Sequence, residues 1–519
     1  MRLRLRLLLF ALVNARAANK IASHIIVLRQ APFAESLSRN LFSSSSVSID
    51  FQFSESVAVF NARQNEAYVL ATATTTLSTS AATLILGVRI TENVLGSPAL
   101  SVDACAVGVA WLAAHPLVAS IHEDVIISAA WHDGGMKKGD SYKANGVPRS
   151  RRVQDTLQIN PPWGLDRVGQ RTRALDKVYA FSGTNNGTGV DVHFLDSGVR
   201  ADHVDFGGRV DTEFGVNTVA GENASSTEDC AGHGTHIAGI AAAASVGVAR
   251  GVTVIPIRVY GCSASGPLSQ VLLGMSQALD IIGRRKRPCV INLSFATSSR
   301  IELLDTGTAS LGRTRCVVVV AAGNDGADAL NSSPQASGII RVTASTAQDT
   351  LANFANAGSS VSIIAPGDSI LSLSNLDNTS YATMSGTSMS APFVSGAAAL
   401  LLASLPSDTP ASAVVQMIVA IGTRDQIAMP LRAASTPNAL LYVPPCDLSE
   451  FSGIPGVCGT PSQSPSPGLS PPTSTPSRIG VHFFDNSASS GTSASPSKAI
   501  CVLFAVCVAL MLDVAEGRI

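Results

Sequence analysis

The stretch Val190-Asp191-Val192-His193-Phe194-Leu195-Asp196-Ser197-Gly198 decides the fold. An apolar, β-branched run over residues 190–195 reads as a strand, and Asp196-Ser197-Gly198 then turns the chain. Similar runs recur at residues 252–259, 290–295, 316–321 and 339–344, with helical candidates at 234–244, 269–282 and 388–404 between several of them. Continuous apolar strands alternating with helices predict an α/β domain, a parallel sheet covered by helices on both faces. Sites in such sheets gather at the carboxyl ends of the strands, which is where Asp196 stands.

Working outward, the chain has 519 residues, 46% of them hydrophobic, which allows two folded units with appendages. A formal net charge of −1, with no basic block interleaved with aromatics, excludes nucleic acid as a partner. Arg2, Arg4 and Arg6, the apolar residues 7–13 and Ala15-Arg16-Ala17 form a secretory signal over residues 1–17. Residues 18–130 carry short strands at 24–28 and 118–127 and a helix at 102–114, a small α+β unit. A polar linker follows at 131–156, whose cluster Arg149-Ser150-Arg151-Arg152 is a candidate processing site, and the main domain spans 157–445. Residues 446–498 form a Cys-containing, then Pro/Ser/Thr-rich tail that cannot bury a core, and 499–519 a hydrophobic C-terminal segment. Small residues, a polar spacer and an apolar run fit a lipid-anchor signal, from which the polar ending 513–519 departs.

Three residues carry the chemistry. Ser388 lies in Gly386-Thr387-Ser388-Met389 just ahead of an apolar helix, where free N–H groups face outward. A serine hydroxyl is a weak nucleophile unless a base sits within hydrogen-bond reach, and imidazole suits that task. His233, in Gly232-His233-Gly234-Thr235-His236, can be that base, and Asp196 can fix its tautomer and stabilise its cation. His236 has no adjacent Glu to suggest a metal site, so it is read as a packed, hydrogen-bonded histidine. Nine cysteines in a secreted chain without C-x-x-C spacing point to disulfides rather than metal.

Four blocks, Asp196-Ser197-Gly198, His233-Gly234-Thr235-His236, Ala321-Ala322-Gly323-Asn324 and Gly386-Thr387-Ser388-Met389, resemble the signatures of the subtilisin family, in the chain order Asp, His, Ser. The opening Pro162-Trp163-Gly164-Leu165-Asp166-Arg167 is similar to the start of its proteinase K-like branch. The resemblance implies a subtilisin-like parallel sheet with helices on both faces, preceded by a small α+β propeptide domain over 18–130 that inhibits the enzyme from which it is cut. It implies a secreted serine endopeptidase, made as an autoinhibited zymogen, working on protein or peptide substrates through an acyl-enzyme on Ser388. Asn324 takes the role of oxyanion donor. Ser294, Phe295, Ala296 and Thr297, with Ala321, Ala322 and Gly323, take that of substrate-binding wall.

Where the family often has Ser-Leu-Gly-Gly, Ala296 and Thr297 add side chains, which predicts a pocket for smaller residues. A placement similar to that in relatives pairs Cys230 with Cys262; Cys446 with Cys458 is a local pairing, and Cys289 and Cys316 are either a third disulfide or two buried thiols. No cofactor is required for the chemistry. Structural calcium is possible but not predicted: a calcium-binding carboxylate of that branch would fall near Ser362, serine is a poor replacement for it, and another site is left open. The competing reading is a weak or inactive binding protein on the same fold, against which the complete set of Asp196, His233, Ser388 and Asn324 weighs.

Overall fold

The computed structural model describes residues 121–131, 157–181 and 185–444 with their side chains, and six N-terminal strands by their backbone. The signal, most of the linker, the C-terminal tail with Cys446 and Cys458, and the hydrophobic segment 499–519 lie outside the described residues. The N-terminal strands are β1 (Ala22–Leu28), β2 (Ser56–Asn61), β3 (Glu66–Ala71), β4 (Arg89–Val94), β5 (Ala99–Ala104) and β6 (Val118–Glu123). They form an antiparallel sheet in the order β2-β3-β4-β5-β1-β6. The helix expected at 102–114 is corrected at its start: residues 102–104 belong to β5, all three paired with β1 and Val102 and Asp103 also with β4, and ladder pairing overrides local helical pattern there. Residues 105–114 lie outside the described residues. The single strand expected at 118–127 is broken after Glu123, and β7 (Ile126–Ser128) leaves this sheet.

The main domain adds β8 (Leu157–Ile159), β9 (Val178–Ala180), β10 (Asp191–Asp196), β11 (Val216–Asn217), β12 (Thr253–Arg258), β13 (Ser265–Pro267), β14 (Cys289–Leu293), β15 (Val317–Ala321), β16 (Ile340–Ser345) and β17 (Ile363–Pro366). Beyond these come β18 (Ile370–Leu373), β19 (Tyr381–Met384), β20 (Thr423–Arg424) and β21 (Ala439–Leu440). Its helices are α1 (Trp163–Val168), α2 (His233–Ala242), α3 (Leu268–Arg285), α4 (Glu302–Gly312), α5 (Thr387–Ser404) and α6 (Ala411–Ile421). Nine strands form one sheet in the order β11-β12-β10-β14-β15-β16-β17-β21-β20, parallel throughout except for the last pair.

Strand geometry sends successive side chains to opposite faces, and the two cores follow from that. Val192 and Phe194 of β10, Val290 of β14 and Val317 and Val319 of β15 pack on one face with α2, α5 and α6. Leu195, Ile291, Leu293, Val318 and Val320 pack on the other with α3 and α4. Because both faces are covered, the strands are apolar without alternation, as the sequence pattern requires. The helix α5 is long and apolar enough to cross a membrane by composition, but it is buried inside the protein as its central core helix. After β10 the chain crosses to β12 on one side and later to β14 on the other, so a switch point opens at the carboxyl end of β10.

Candidate active site

Asp196 ends β10 at that switch point, and α2 begins at His233 directly across from it. The two elements approach so closely that a Cβ on Gly234 would stand 2.1 Å from the Gly198 carbonyl oxygen, so only glycine fits. His233 Nδ1 lies 2.7 Å from Asp196 Oδ1, which also accepts from the Ser197 N–H at 2.8 Å, and both side chains are buried. This contact requires the proton on Nδ1, so that in the neutral ring the lone pair is on Nε2, which has no hydrogen-bond partner among the described residues. Asp229 braces the loop before α2. Its carboxylate accepts from Ser197 Oγ, the N–H groups of Ala231, Gly232 and Thr235, and Thr235 Oγ1. Burial raises its pKa, against the lowering effect of these donors.

Ser388 sits in the first turn of α5. Four residues on, Pro392 has no N–H to give to the Ser388 carbonyl, and Ser294 Oγ donates to that oxygen instead, at 3.0 Å. Asn292 Nδ2 in turn donates to Ser294 Oγ at 2.8 Å, and Asn292 Oδ1 accepts from Ser395 Oγ. Ser388 Oγ donates to the Ser294 carbonyl at 2.8 Å, so the serine hydroxyl is turned away from the imidazole in this state. Asn324 Oδ1 accepts from both the N–H and Oγ1 of Thr387, at 2.9 Å each, which aims its unpartnered Nδ2 into the cleft.

The cleft holds the chain's own residues 126–131. β7 pairs antiparallel with β13, Ile126 opposite Pro267, Ile127 opposite Gly266 and Ser128 opposite Ser265. Ala129 continues by bridging Phe295, its N–H donating to the Ala264 carbonyl at 3.0 Å, and the Ala130 N–H donates to the Ser294 carbonyl at 3.2 Å. The Ala130 carbonyl accepts from the Ser388 N–H at 3.2 Å, and the Trp131 ring meets His233 edge-on at 6.0 Å between centroids. A Cβ on Gly386 would fall 2.5 Å from the Ala130 oxygen and 3.1 Å from Asn324 Nδ2, so the lack of a side chain there opens the cleft. Ile127, Ala129 and Ala130 are buried, while Ile126 and Ser128 face solvent. Upstream, Asp124 accepts from the N–H and Oγ of Ser269 at the start of α3.

Of the wall residues, Ser294 and Phe295 meet this segment through their backbones. The Phe295 ring lies in the core edge-on to Tyr260, whose phenol burial pushes up in pKa. Ala296 reaches within 3.3 Å of where a Gly323 Cβ would stand, and Thr297 Oγ1 donates toward the carbonyls of Ser299 and Ser333. Ala321 and Ala322 are buried at the end of β15, just before Asn324. His236 places Nε2 3.1 Å from the carbonyls of Ile370 and Ala382, and burial takes its pKa down to about 3, a neutral packed histidine. Disulfides join Cys230 to Cys262 and Cys289 to Cys316. Ser362 Oγ accepts from the Arg341 backbone N–H and lines a cavity with Arg300 and Arg341, and no carboxylate is among the residues that line it.

Asp229, Asn292 and Thr387 were not singled out from sequence. Asp229 stands four residues before His233, but its partner Ser197 is 32 residues away and only the fold brings them together. The arrangement as a whole offers a hydroxyl, an imidazole oriented by a carboxylate, one N–H on the Ala130 carbonyl oxygen and a free Asn324 amide beside the same Gly386. That set supports attack on a carbonyl and stabilisation of the oxyanion that forms.

Residues 187–433 match the family described as the subtilase family, Peptidase S8. The chain is 39% identical over 289 residues, 56% of this chain and 67% of the relative, to an extracellular serine proteinase from Thermus sp. (strain Rt41A). It is 36% identical to alkaline serine exoprotease A of Vibrio alginolyticus, over 60% of this chain and 55% of that protein. It is 33% identical to subtilisin-like serine protease Pen ch 13 of Penicillium rubens, over 59% of this chain and 70% of that protein. A crystal structure of a cold adapted subtilisin-like serine proteinase superposes with a TM-score of 0.50 at 34% identity, covering 55% of this chain and 98% of that one.

Proposed function

The chain belongs to the subtilase family and is a subtilisin-type serine protease, and from that premise we propose that it is a proteinase K-type endopeptidase made as an autoinhibited zymogen whose first substrate is its own Ala130–Trp131 bond. The observation that carries this reading is the Ala130 carbonyl beside the Ser388 N–H, with Asn324 Nδ2 at the same spot and Trp131 against His233. Ser388 Oγ turns from the Ser294 carbonyl toward His233 Nε2, gives it the proton and attacks the Ala130 carbonyl carbon. Asp196 holds the imidazolium, and Asn324 Nδ2 and the Ser388 N–H receive the oxyanion. The proton then passes from His233 to the departing Trp131 amine, and water hydrolyses the Ser388 ester by the same steps in reverse order of partners. No cofactor enters this chemistry.

Residues 18–130 then stay in the cleft as a product inhibitor held by the β7–β13 ladder. An alanine in the first pocket, with the Ala296 methyl against Gly323, supports a preference for small side chains before the scissile bond. The leader at 1–17 and a relative named an extracellular serine proteinase support an extracellular location, with the segment 499–519 as the removable tail of a lipid-anchor signal. The test is to secrete the full chain and its Ser388→Ala variant, then sequence the new N-termini and assay casein hydrolysis. The wild type is expected to yield a terminus at Trp131 and to cleave casein, while the variant does neither. A Trp131 terminus in both would assign the cut to another protease.

A further inference from the structure

The loops ahead of β16 and β17 enclose an open cavity of ≈ 400 Å³ lined by Arg300, Gln335, Ser337, Arg341, Ser360 and Ser362. Arg341 is 2% exposed, yet among the described residues no carboxylate is in ion-pair contact with it. Its Nη1 donates to Ser360 Oγ at 3.3 Å and its Nη2 to Ser332 Oγ and the Ser332 carbonyl, all neutral oxygens, and Nε has no partner. Asp305 and Asp328 act on it only at a distance, and Asp305 is already engaged by Arg300 at 2.9 Å and by the Gln335 N–H. A buried guanidinium without a counter-charge is costly, and desolvation takes the pKa of Arg341 down to about 10.

We propose that this cavity is a binding site for a small oxyanion, of the phosphate, sulfate or carboxylate kind, held between Arg341 and Arg300 with the hydroxyls of Ser360 and Ser362. Guanidinium groups present paired N–H donors matched to such oxygens, the cavity exceeds the roughly 30 Å³ share of one water many times over, and two arginines with no carboxylate among the lining residues attract an anion. The site stands behind the substrate wall: Arg341 Nη2 donates to Ser332 Oγ, which donates to the Ala322 carbonyl at 3.2 Å.

The test uses the full chain carrying Ser388→Ala, which keeps it from digesting itself. Inorganic phosphate, acetate and calcium are titrated separately by calorimetry at constant ionic strength set with sodium chloride. Saturable binding of phosphate or acetate is expected, phosphate alone marking a tetrahedral oxyanion and acetate alone a carboxylate. Arg341→Gln should weaken it by at least about tenfold, the scale of a lost charge-assisted hydrogen bond. Since that change falls in the core, Arg300→Gln and Ser360→Ala, at the cavity rim, are measured in parallel and should each weaken binding. Absence of saturation by either anion, affinity unchanged in both rim variants, or saturation by calcium overturns the proposal.

Discussion

Asn324 can present its amide in one sense only. The Thr387 N–H can donate but not accept, so Oδ1 must face it, and Thr387 Oγ1 is committed as acceptor to the Gly323 N–H while it donates to the same Oδ1. Nδ2 is thereby fixed toward the cleft before any substrate arrives. Asn324→Ala should lower kcat by about 10² to 10³, the scale known for loss of one such donor in subtilisin, with KM little changed. Steady-state kinetics on a soluble peptide check this, and a rise in KM with kcat intact would assign Asn324 to ground-state binding instead. A second residue-scale consequence concerns acid. Burial lowers His193 and His236 to about 3, so both are neutral in the folded protein while the unfolded chain takes up protons below about 6.5. The stability they contribute is complete above about pH 6.5 and is lost as pH falls from there toward 3. Each accounts for a slope of about 1.4 kcal/mol per pH unit in that window. In the Ser388→Ala background, His193→Asn should flatten the fall of the urea midpoint with acid; an unchanged slope would place the acid sensitivity elsewhere.

At the scale of elements, the disulfide Cys230–Cys262 ties the loop that ends in His233 to the turn that leads into β13. One cysteine therefore holds the base and the other the edge strand along which residues 126–128 are laid. The double change Cys230→Ser/Cys262→Ser should cost on the order of 3 kcal/mol of stability from loop entropy, and should raise KM for extended peptides more than it lowers kcat. A peptide too short to reach β13 should be hardly affected, and kinetics on a pair of substrates of different length separate the two. Elements that are apolar throughout were readable from sequence: β10, β15 and β16 fall within a residue or two of the runs at 190–195, 316–321 and 339–344, and α5 is the helix expected at 388–404. The helix α4 was not, because Glu302–Gly312 mixes Gly307 with threonines and a serine, and its helicity comes from Leu303, Leu304 and Leu311 packing under the sheet. The edge strands β11 and β20, and β21 beside the latter, are two residues long and carry no pattern at all. In the site, Asp196, His233, Asn324 and Ser388 were legible because each sits in a short block with its own glycine. The braces Asp229, Asn292 and Thr387 each depend on a partner distant in sequence, Ser197, Ser395 and Asn324 in turn, which only the fold supplies.

At the scale of the whole molecule, a nine-stranded sheet holds the Asp196 carboxylate at one strand end and Asn324 just past another, while one central helix holds the nucleophile and its own N–H donor, and the segment 126–131 runs between them. That segment and Ser388 belong to one chain. Their meeting needs no collision, and tethered groups of this kind react as if at concentrations far beyond any that solution can reach. Conversion of the precursor should therefore follow first-order kinetics with a half-life unchanged across a wide dilution series, and added mature enzyme should not hasten it; acceleration at high concentration would mean cutting between molecules. Each copy thus ages by its own clock, and dispersal into a large volume, which starves an ordinary protease of encounters, leaves that clock running at the same pace.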